Sequence, residues 1–221
     1  MYPRSVTSLE FRDRLRRRAR RASILLAADA VEALEAYFRL LSKWNAKINL
    51  TALPLAQPTE ETFDRLLIEP LAAARKVPDR PDRWVDLGSG GGSPAIPLKI
   101  VRPSLRLTMV ESKVRKAAFL REAIRTIGLS EASVADTRFE EYAAEAEGSV
   151  DLITVRAVRA DKALFDAAAR LLVPRGRLLM LGPTASAISV PGFSHIETIA
   201  LTDSPAYLTI RERMFRNNIV D

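Results

Sequence analysis

Apolar positions fall into two textures along the chain. Up to about residue 80 they recur at helical spacing. Phe11, Leu15, Ala19 and Ala22 are separated by four, four and three residues and predict a short helix over residues 8–21. Val31, Leu34, Tyr37, Phe38, Leu41 and Trp44 share one face of a second helix. Asp29 reads as its N-cap, Glu32 as the capping-box partner three residues on, and residues 45–49 as its end. Thr59 with Glu61 opens a third helical stretch through Leu66, Leu67 and Leu71, which the prolines at 78 and 81 stop. Beyond Arg83 the texture alternates. Short apolar runs at 84–87, 105–111, 132–135, 150–155 and 177–181 read as strands. Helices are expected from Ser93 and Pro94, over 113–127 up to Gly128, and over 161–172. Residues 196–201 and 207–211 read as a closing antiparallel pair. Strands alternating with helices predict right-handed βαβ units and an α/β, doubly wound, mainly parallel sheet. The expected division is a helical extension over residues 1–80 and a ligand-binding domain over residues 81–221.

Charge sharpens this picture at one end. Residues 1–21 carry eight arginines (Arg4, Arg12, Arg14, Arg16, Arg17, Arg18, Arg20 and Arg21) against Glu10 and Asp13, so +6 of the chain's +7 lies there and +1 in the rest. Such a segment suits nucleic-acid phosphates. A solvated helix face, a ragged N-terminus and an arginine-rich transit segment are the alternatives that composition leaves open. The absence of cysteine excludes thiolate catalysis and disulfides, and the single His195 excludes a histidine metal cluster. No apolar run approaches the roughly 20 residues that a membrane span needs, and the first residues lack a secretory layout. A cytoplasmic monomer is the expectation.

Four of only nine glycines stand in Gly88-Ser89-Gly90-Gly91-Gly92, directly after an expected strand. Glycine there permits positive φ and close approach to a ligand. The helix start behind it can hold an anionic group. The dinucleotide fingerprint G-x-G-x-x-G/A fits poorly, because counting from Gly88 puts Ser93 last, and the P-loop pattern lacks its Gly-Lys-Ser/Thr. What remains is an acidic residue, Asp86, two places before a G-x-G-x-G loop. Glu111, at the end of the next strand, is placed to accept from both ribose hydroxyls of a bound nucleoside. Both a nicotinamide dinucleotide and S-adenosylmethionine carry such a ribose.

With these stretches in view, the chain resembles the bacterial 16S ribosomal RNA guanine-N7 methyltransferase G family, also called the glucose-inhibited division protein B family. Four segments carry the resemblance. They are Leu40 to Asn45 through Ile48-Asn49-Leu50-Thr51-Ala52; Val85 to Leu98; Val110-Glu111-Ser112 with Lys116 to Leu120; and Arg138-Phe139-Glu140 followed by Asp151 and Arg156-Ala157. The resemblance implies a Rossmann-like class I methyltransferase fold and S-adenosylmethionine as cofactor. It implies a cofactor site made by Asp86, Gly88, Ser89, Gly90, Gly92, Glu111, Phe139, Glu140 and Arg156. Arg138 and Arg156 would lie on the cofactor or RNA side, with Arg12, Arg16 and Arg20 extending the RNA contact. Ribosomal RNA or the small ribosomal subunit would be the partner. Guanine N7 has a free lone pair, so catalysis would rest on orientation and needs no assigned catalytic side chain.

Several positions depart from the family pattern. Leu66 stands where a His is usual, Pro70 where a Ser is usual, Ser93 where an aromatic or Leu is usual, Ala95 replaces a Gly, and Leu181 precedes Gly182 in place of Lys. They leave open a methyltransferase of the same fold acting on another RNA, a protein or a small molecule. A non-catalytic RNA-binding protein and a nicotinamide-dependent oxidoreductase are the remaining alternatives.

Overall fold

The computed structural model describes residues 6–77, 82–185, 189–203 and 205–215. Arg4 and the proline pair at 78 and 81 lie outside the described residues.

Helix α1 (Ser8–Arg21) starts at Thr7, whose hydroxyl accepts from Glu10 N–H while the Glu10 carboxylate accepts from Thr7 N–H at 2.9 Å. This reciprocal cap satisfies two of the orphan donors of the first turn. Thr7→Ala is therefore expected to cost about 1 kcal/mol, read as a lower denaturant midpoint with an unchanged slope. Phe11 and Leu15 are fully buried, and the Phe11 ring lies 5.0 Å from Phe38 and 5.2 Å from Phe63. These rings dock α1 on α2 (Ala28–Asn45) and on α3 (Glu60–Phe63). Helix α2 departs from expectation at its start. Ala27 is its N-cap without a side-chain bond, and Asp29 lies inside the first turn beside its own Ala30 N–H. A carboxylate there still meets the positive end of the helix, so the residue type survives while the position moves. Thr59 does cap α3, but its reciprocal partner is Thr62 rather than Glu61.

Helix α3 runs on through a π-helical turn (Asp64–Ile68) into α4 (Glu69–Ala73) and a 3₁₀ turn (Ala74–Lys76). Glu69 N–H bonds Asp64 C=O, five residues back. Pro70 then has no N–H for the carbonyl of Leu66. The turn thus frees the carbonyls of Arg65 and Leu66, and their new partners belong to the site described below.

The sheet has seven strands in the order β3-β2-β1-β4-β5-β7-β6. Strands β1 (Arg83–Leu87), β2 (Arg106–Val110), β3 (Ala132–Ala135), β4 (Val150–Arg156) and β5 (Leu172–Gly182) are parallel. Strand β7 (Tyr207–Arg213) inserts antiparallel between β5 and β6 (Phe193–Ala200), which confirms the closing antiparallel pair. Side chains of β1 alternate between two cores. Trp84 joins the cluster built with α1, α2, α4, α5 (Ala95–Val101) and α6 (Val114–Ile127), while Val85 and Leu87 join the cluster under α8 (Lys162–Leu171). Strand β5 begins earlier than its apolar run suggests, because its first residues pair through an irregularity opposite Val150 and Leu152. Helix α7 (Phe139–Glu145) has no counterpart in the sequence expectations. It is under two turns long and buries only Ala143, too little for a periodicity to register. Strand order reverses between β1 and β4, and in open α/β sheets ligands bind outside the carboxyl ends of the strands at that switch point.

Candidate active site

The carboxyl end of β1 leads into the glycine turn. Gly88 sits at φ +72 and Gly92 at φ +84, where side chains are disfavoured. A Cβ on Gly88 would stand 2.8 Å from Val158 Cγ2, and one on Gly92 would stand 2.5 Å from Ile96 Cδ1. Backbone conformation and packing therefore demand glycine independently. The turn is pinned to β2 by bonds from the Gly88 and Ser89 amides to the Val110 carbonyl at 2.9 and 3.1 Å. Glu111, one residue past β2, is buried, and its two oxygens accept from Gly90 N–H at 2.9 Å and Lys113 N–H at 2.8 Å.

Two cavities meet at Gly88 and Glu111. One, of about 450 Å³, is bounded by Leu50, Thr51, Gly90, Ser93, Lys116 and Ala157. The other, of about 310 Å³, is bounded by Ser112, Arg138, Phe139 and Glu140. A carboxylate between two cavities suits a ligand whose ribose diol sits in the middle, with a base on one side and an amino-acid chain on the other. A Cβ on Gly90 would meet no atom closer than Gly88 O at 3.8 Å, so the space over the turn is open. These residues fit S-adenosylmethionine. Among the residues expected to surround it, Gly88, Ser89, Gly90, Glu111, Phe139, Glu140 and Arg156 border these cavities. Gly92 contacts Ile96 and Leu120 instead, beneath the loop.

Asp86 also lies beneath. It is 1% exposed, and Thr154 donates its hydroxyl to Oδ1 at 2.5 Å while accepting from Trp84 Nε1 at 2.9 Å. Burial pushes the Asp86 carboxyl up to about 6 against its ordinary 3.8, with the Thr154 bond working the other way. A carboxyl that holds its proton more tightly in the folded chain contributes stability that is complete below about pH 3.8 and is lost as pH rises through about 6. Asp86→Asn stays neutral throughout. Its stability relative to the parent chain is expected to improve by roughly 3 kcal/mol between acid and neutral pH, measured by denaturant melts across that range.

The helical part completes the larger cavity through residues that the glycine pattern does not reveal. Tyr37 Oη donates to Gly91 C=O at 2.7 Å. Asn45 Oδ1 accepts from the Leu50 and Thr51 amides at 2.8 and 2.9 Å, folding residues 50–53 over the cavity. Leu50 O would lie 3.1 Å from a Cβ on Gly91. Trp44 packs edge-on to Phe119 and Asn49 is exposed. The signal for this contact is the Trp-Asn to Thr-Ala segment, where Asn45 holds the turn after α2 and so shapes the cavity wall.

Arg156, at the end of β4, closes the far side. Its guanidinium donates to the Glu69 carboxylate, to the Arg65 carbonyl, and to Ser93 Oγ at 3.2 Å. Ser93 Oγ in turn donates to Leu66 C=O at 3.0 Å. The two carbonyls freed by the π-helical turn are thus both satisfied. Pro70 and Ser93, two departures from the family pattern, compensate each other: the proline removes a donor to Leu66, and the serine hydroxyl supplies one. Burial pushes the Glu69 carboxyl up and the Arg156 guanidinium down, and their mutual attraction opposes both shifts.

The arginine-rich helix divides into two groups. Arg12 is bonded to Glu35 at 2.6 Å, Arg18 holds Asp64 through two bonds of 2.6 and 2.5 Å, and Arg14 lies over the Phe63 ring at 4.7 Å. These cations are committed to the fold. Arg16 and Arg20 are exposed, as is Arg138 at the start of α7.

A family model described as rRNA small subunit methyltransferase G matches residues 30–190. The Ribosomal RNA small subunit methyltransferase G of Stenotrophomonas maltophilia (strain K279a) is 38% identical over 162 residues, covering 72% of this chain and 72% of that protein. That of Geobacter sp. (strain M21) is 34% identical over 178 residues, 80% of each chain. Among solved structures, a SAM-dependent methyltransferase from Aquifex aeolicus is similar in fold, with TM-score 0.54 at 13% identity over 68% of this chain and 93% of that one.

Proposed function

Because the chain belongs to the rRNA small subunit methyltransferase G family, we propose that it transfers a methyl group from S-adenosylmethionine to N7 of a guanine in 16S ribosomal RNA. The observation that carries this reading is Glu111 standing between two cavities, under a glycine turn whose backbone leaves room for a nucleoside. S-adenosylmethionine supplies an electrophilic methyl group. The chain's residues bind and orient. Glu111 accepts the ribose hydroxyls, Phe139 and Glu140 border the base, and residues 50–53 with Lys116 enclose the amino-acid end. The walls of these cavities carry no imidazole among the described residues, and His195 lies on β6 bonded to Thr198. This suits N7, whose lone pair attacks without loss of a proton, so positioning does the catalytic work.

In this reading residues 1–80 are a helical extension that walls the site, and residues 81–221 are the cofactor-binding part. The protein acts as a monomer in the cytoplasm, on free 16S RNA or the small subunit. No helix among the described residues is long and apolar enough to cross a membrane. The test is methyl transfer from radiolabelled S-adenosylmethionine to small subunits from cells lacking this gene, with mapping of N7-methylguanine. Label at one guanine is expected; label on another atom or none on RNA overturns the assignment. The exposed Arg16 and Arg20 contact phosphates in this reading. Replacing both by Ala is expected to flatten the salt dependence of RNA binding by about 1 to 2 in log–log slope while leaving cofactor affinity alone. A slope equal to the parent's removes α1 from the RNA contact.

A further inference from the structure

The cofactor cavity shares two walls, Arg65 and Arg156, with a neighbour of about 370 Å³. This second cavity lies at the carboxyl ends of β4 and β5 and is further bounded by Asp64, Glu69, Gly182 and Pro183. Three of its walls are carboxylates: Glu61, exposed and paired with Arg65 at 3.6 Å, and two buried ones, 2% exposed at Asp64 and 5% at Glu69. Buried charges need partners. Both oxygens of Asp64 are taken by Arg18. Glu69 differs, because Arg156 engages Oε2 while Oε1 has no hydrogen-bond partner among the described residues. Glu69 lines the cavity, so Oε1 is the acceptor it has left to offer there. The π-helical turn is what brings Asp64, Arg65 and Glu69 to one wall, and such turns are frequent at functional sites.

A cavity of this volume takes a planar heterocycle. A carboxylate beside a guanidinium selects one kind. It needs adjacent N–H donors for the carboxylate, followed by an acceptor for the cation. Guanine offers N2–H₂, N1–H and O6 in that order along one edge; adenine sets its one donor beside an acceptor, cytosine sets one donor beside two acceptors, and uracil has a single N–H. We propose that this cavity seats the acceptor guanine, with Glu69 accepting from N1–H and N2–H₂ and Arg156 donating to O6. The inference rests on the guanine-N7 reading above and names how that base is held. N7 lies on the edge opposite Glu69, so a base anchored there points N7 toward the side shared with the cofactor cavity. As the N7–C bond forms and the C–S bonding pair returns to sulfur, positive charge passes to the base, where the Glu69 carboxylate favours it. The guanine must leave its stack to enter, as in other enzymes that act on an extruded base. Arg18, holding Asp64, ties the arginine-rich helix to the same wall.

Inosine tests this without altering the protein, since it keeps N7, O6 and N1–H and lacks only the 2-amino group. Small subunits are reconstituted with 16S RNA carrying guanosine or inosine at the modified position. The parent enzyme is expected to lose roughly 10- to 100-fold in kcat/KM on inosine. In Glu69→Gln the guanosine substrate is expected to fall by a similar factor, and the further penalty for inosine to shrink to about threefold or less, the coupling expected of groups in contact. S-adenosylmethionine affinity of that variant, measured by calorimetry, stays within about twofold of the parent's, because Glu69 does not border the cofactor cavity. Equal rates of the parent on both substrates overturn the proposal and leave the methyltransferase reading standing. Failure to label any guanine N7 overturns that reading, and the proposal with it.

Discussion

Glu111→Ala is expected to weaken S-adenosylmethionine binding by on the order of 100-fold or more, as measured by titration calorimetry. The carboxylate is buried beside the glycine turn and accepts from Gly90 and Lys113 amides. It has lone pairs left for a ribose diol. Hydrogen bonds to a charged group contribute roughly 1.5–3 kcal/mol each, so losing two accounts for the factor before any effect on the loop is counted. The variant also strips Gly90 N–H of its partner, which loosens the turn that faces the ligand. Glu111→Gln keeps one carbonyl acceptor and should fall between the two. An affinity within about threefold of the parent's in Glu111→Ala would remove this residue from the site, since no charged bond of that kind costs so little.

Arg156→Leu is expected to lower stability by about 3–5 kcal/mol at neutral pH, because it leaves the Glu69 carboxylate buried without a cation. The Arg65 carbonyl and Ser93 hydroxyl lose a donor at the same time. Burial already pushes the Glu69 carboxyl upward, so the variant escapes part of the cost by protonating it, and the loss should be smaller in acid than at neutral pH. Adding Glu69→Leu should recover most of the loss, since replacing both members of a buried pair by apolar groups is often neutral. Chemical melts of the two single variants and the double variant measure the coupling directly. A loss below about 1 kcal/mol in the single variant would mean that the pair is solvated and the wall between the two cavities is open.

Much of the fold is legible along the chain because its signals are local. Phe11, Leu15 and Ala19 must share a face if the segment is helical, and all three are buried. Gly128 and Asp161 mark a helix end and a helix start, and both stand where their chemistry places them. Helix α7 buries only one residue and so leaves no periodicity, and α2 begins at Ala28, ahead of the expected Asp29 cap, because its actual cap, Ala27, carries no side-chain signal. Position relative to the loop is a different matter. Asp86 and Gly92 belong to the same short motif as Gly88 and Gly90, yet they face downward into Thr154 and Ile96.

The sequence by itself determined the alternation of strand and helix, the glycine turn and the acidic residue after the second strand, since each follows from backbone conformation or spacing within a few residues. Only the tertiary structure decided what the departures from the family pattern do. Pro70 and Ser93 read as separate losses along the chain. In the fold the Ser93 hydroxyl reaches the Leu66 carbonyl 27 residues away, and Arg156 reaches Glu69 across 87 residues. Those bonds depend on how α4 docks beside α5 and on where the end of β4 meets them, and no local spacing carries that distance. The division of the arginines has the same origin: Arg16 and Arg18 are alike as residues, and the positions of Asp64 and Glu60 make one a structural cation while the other is left to solvent.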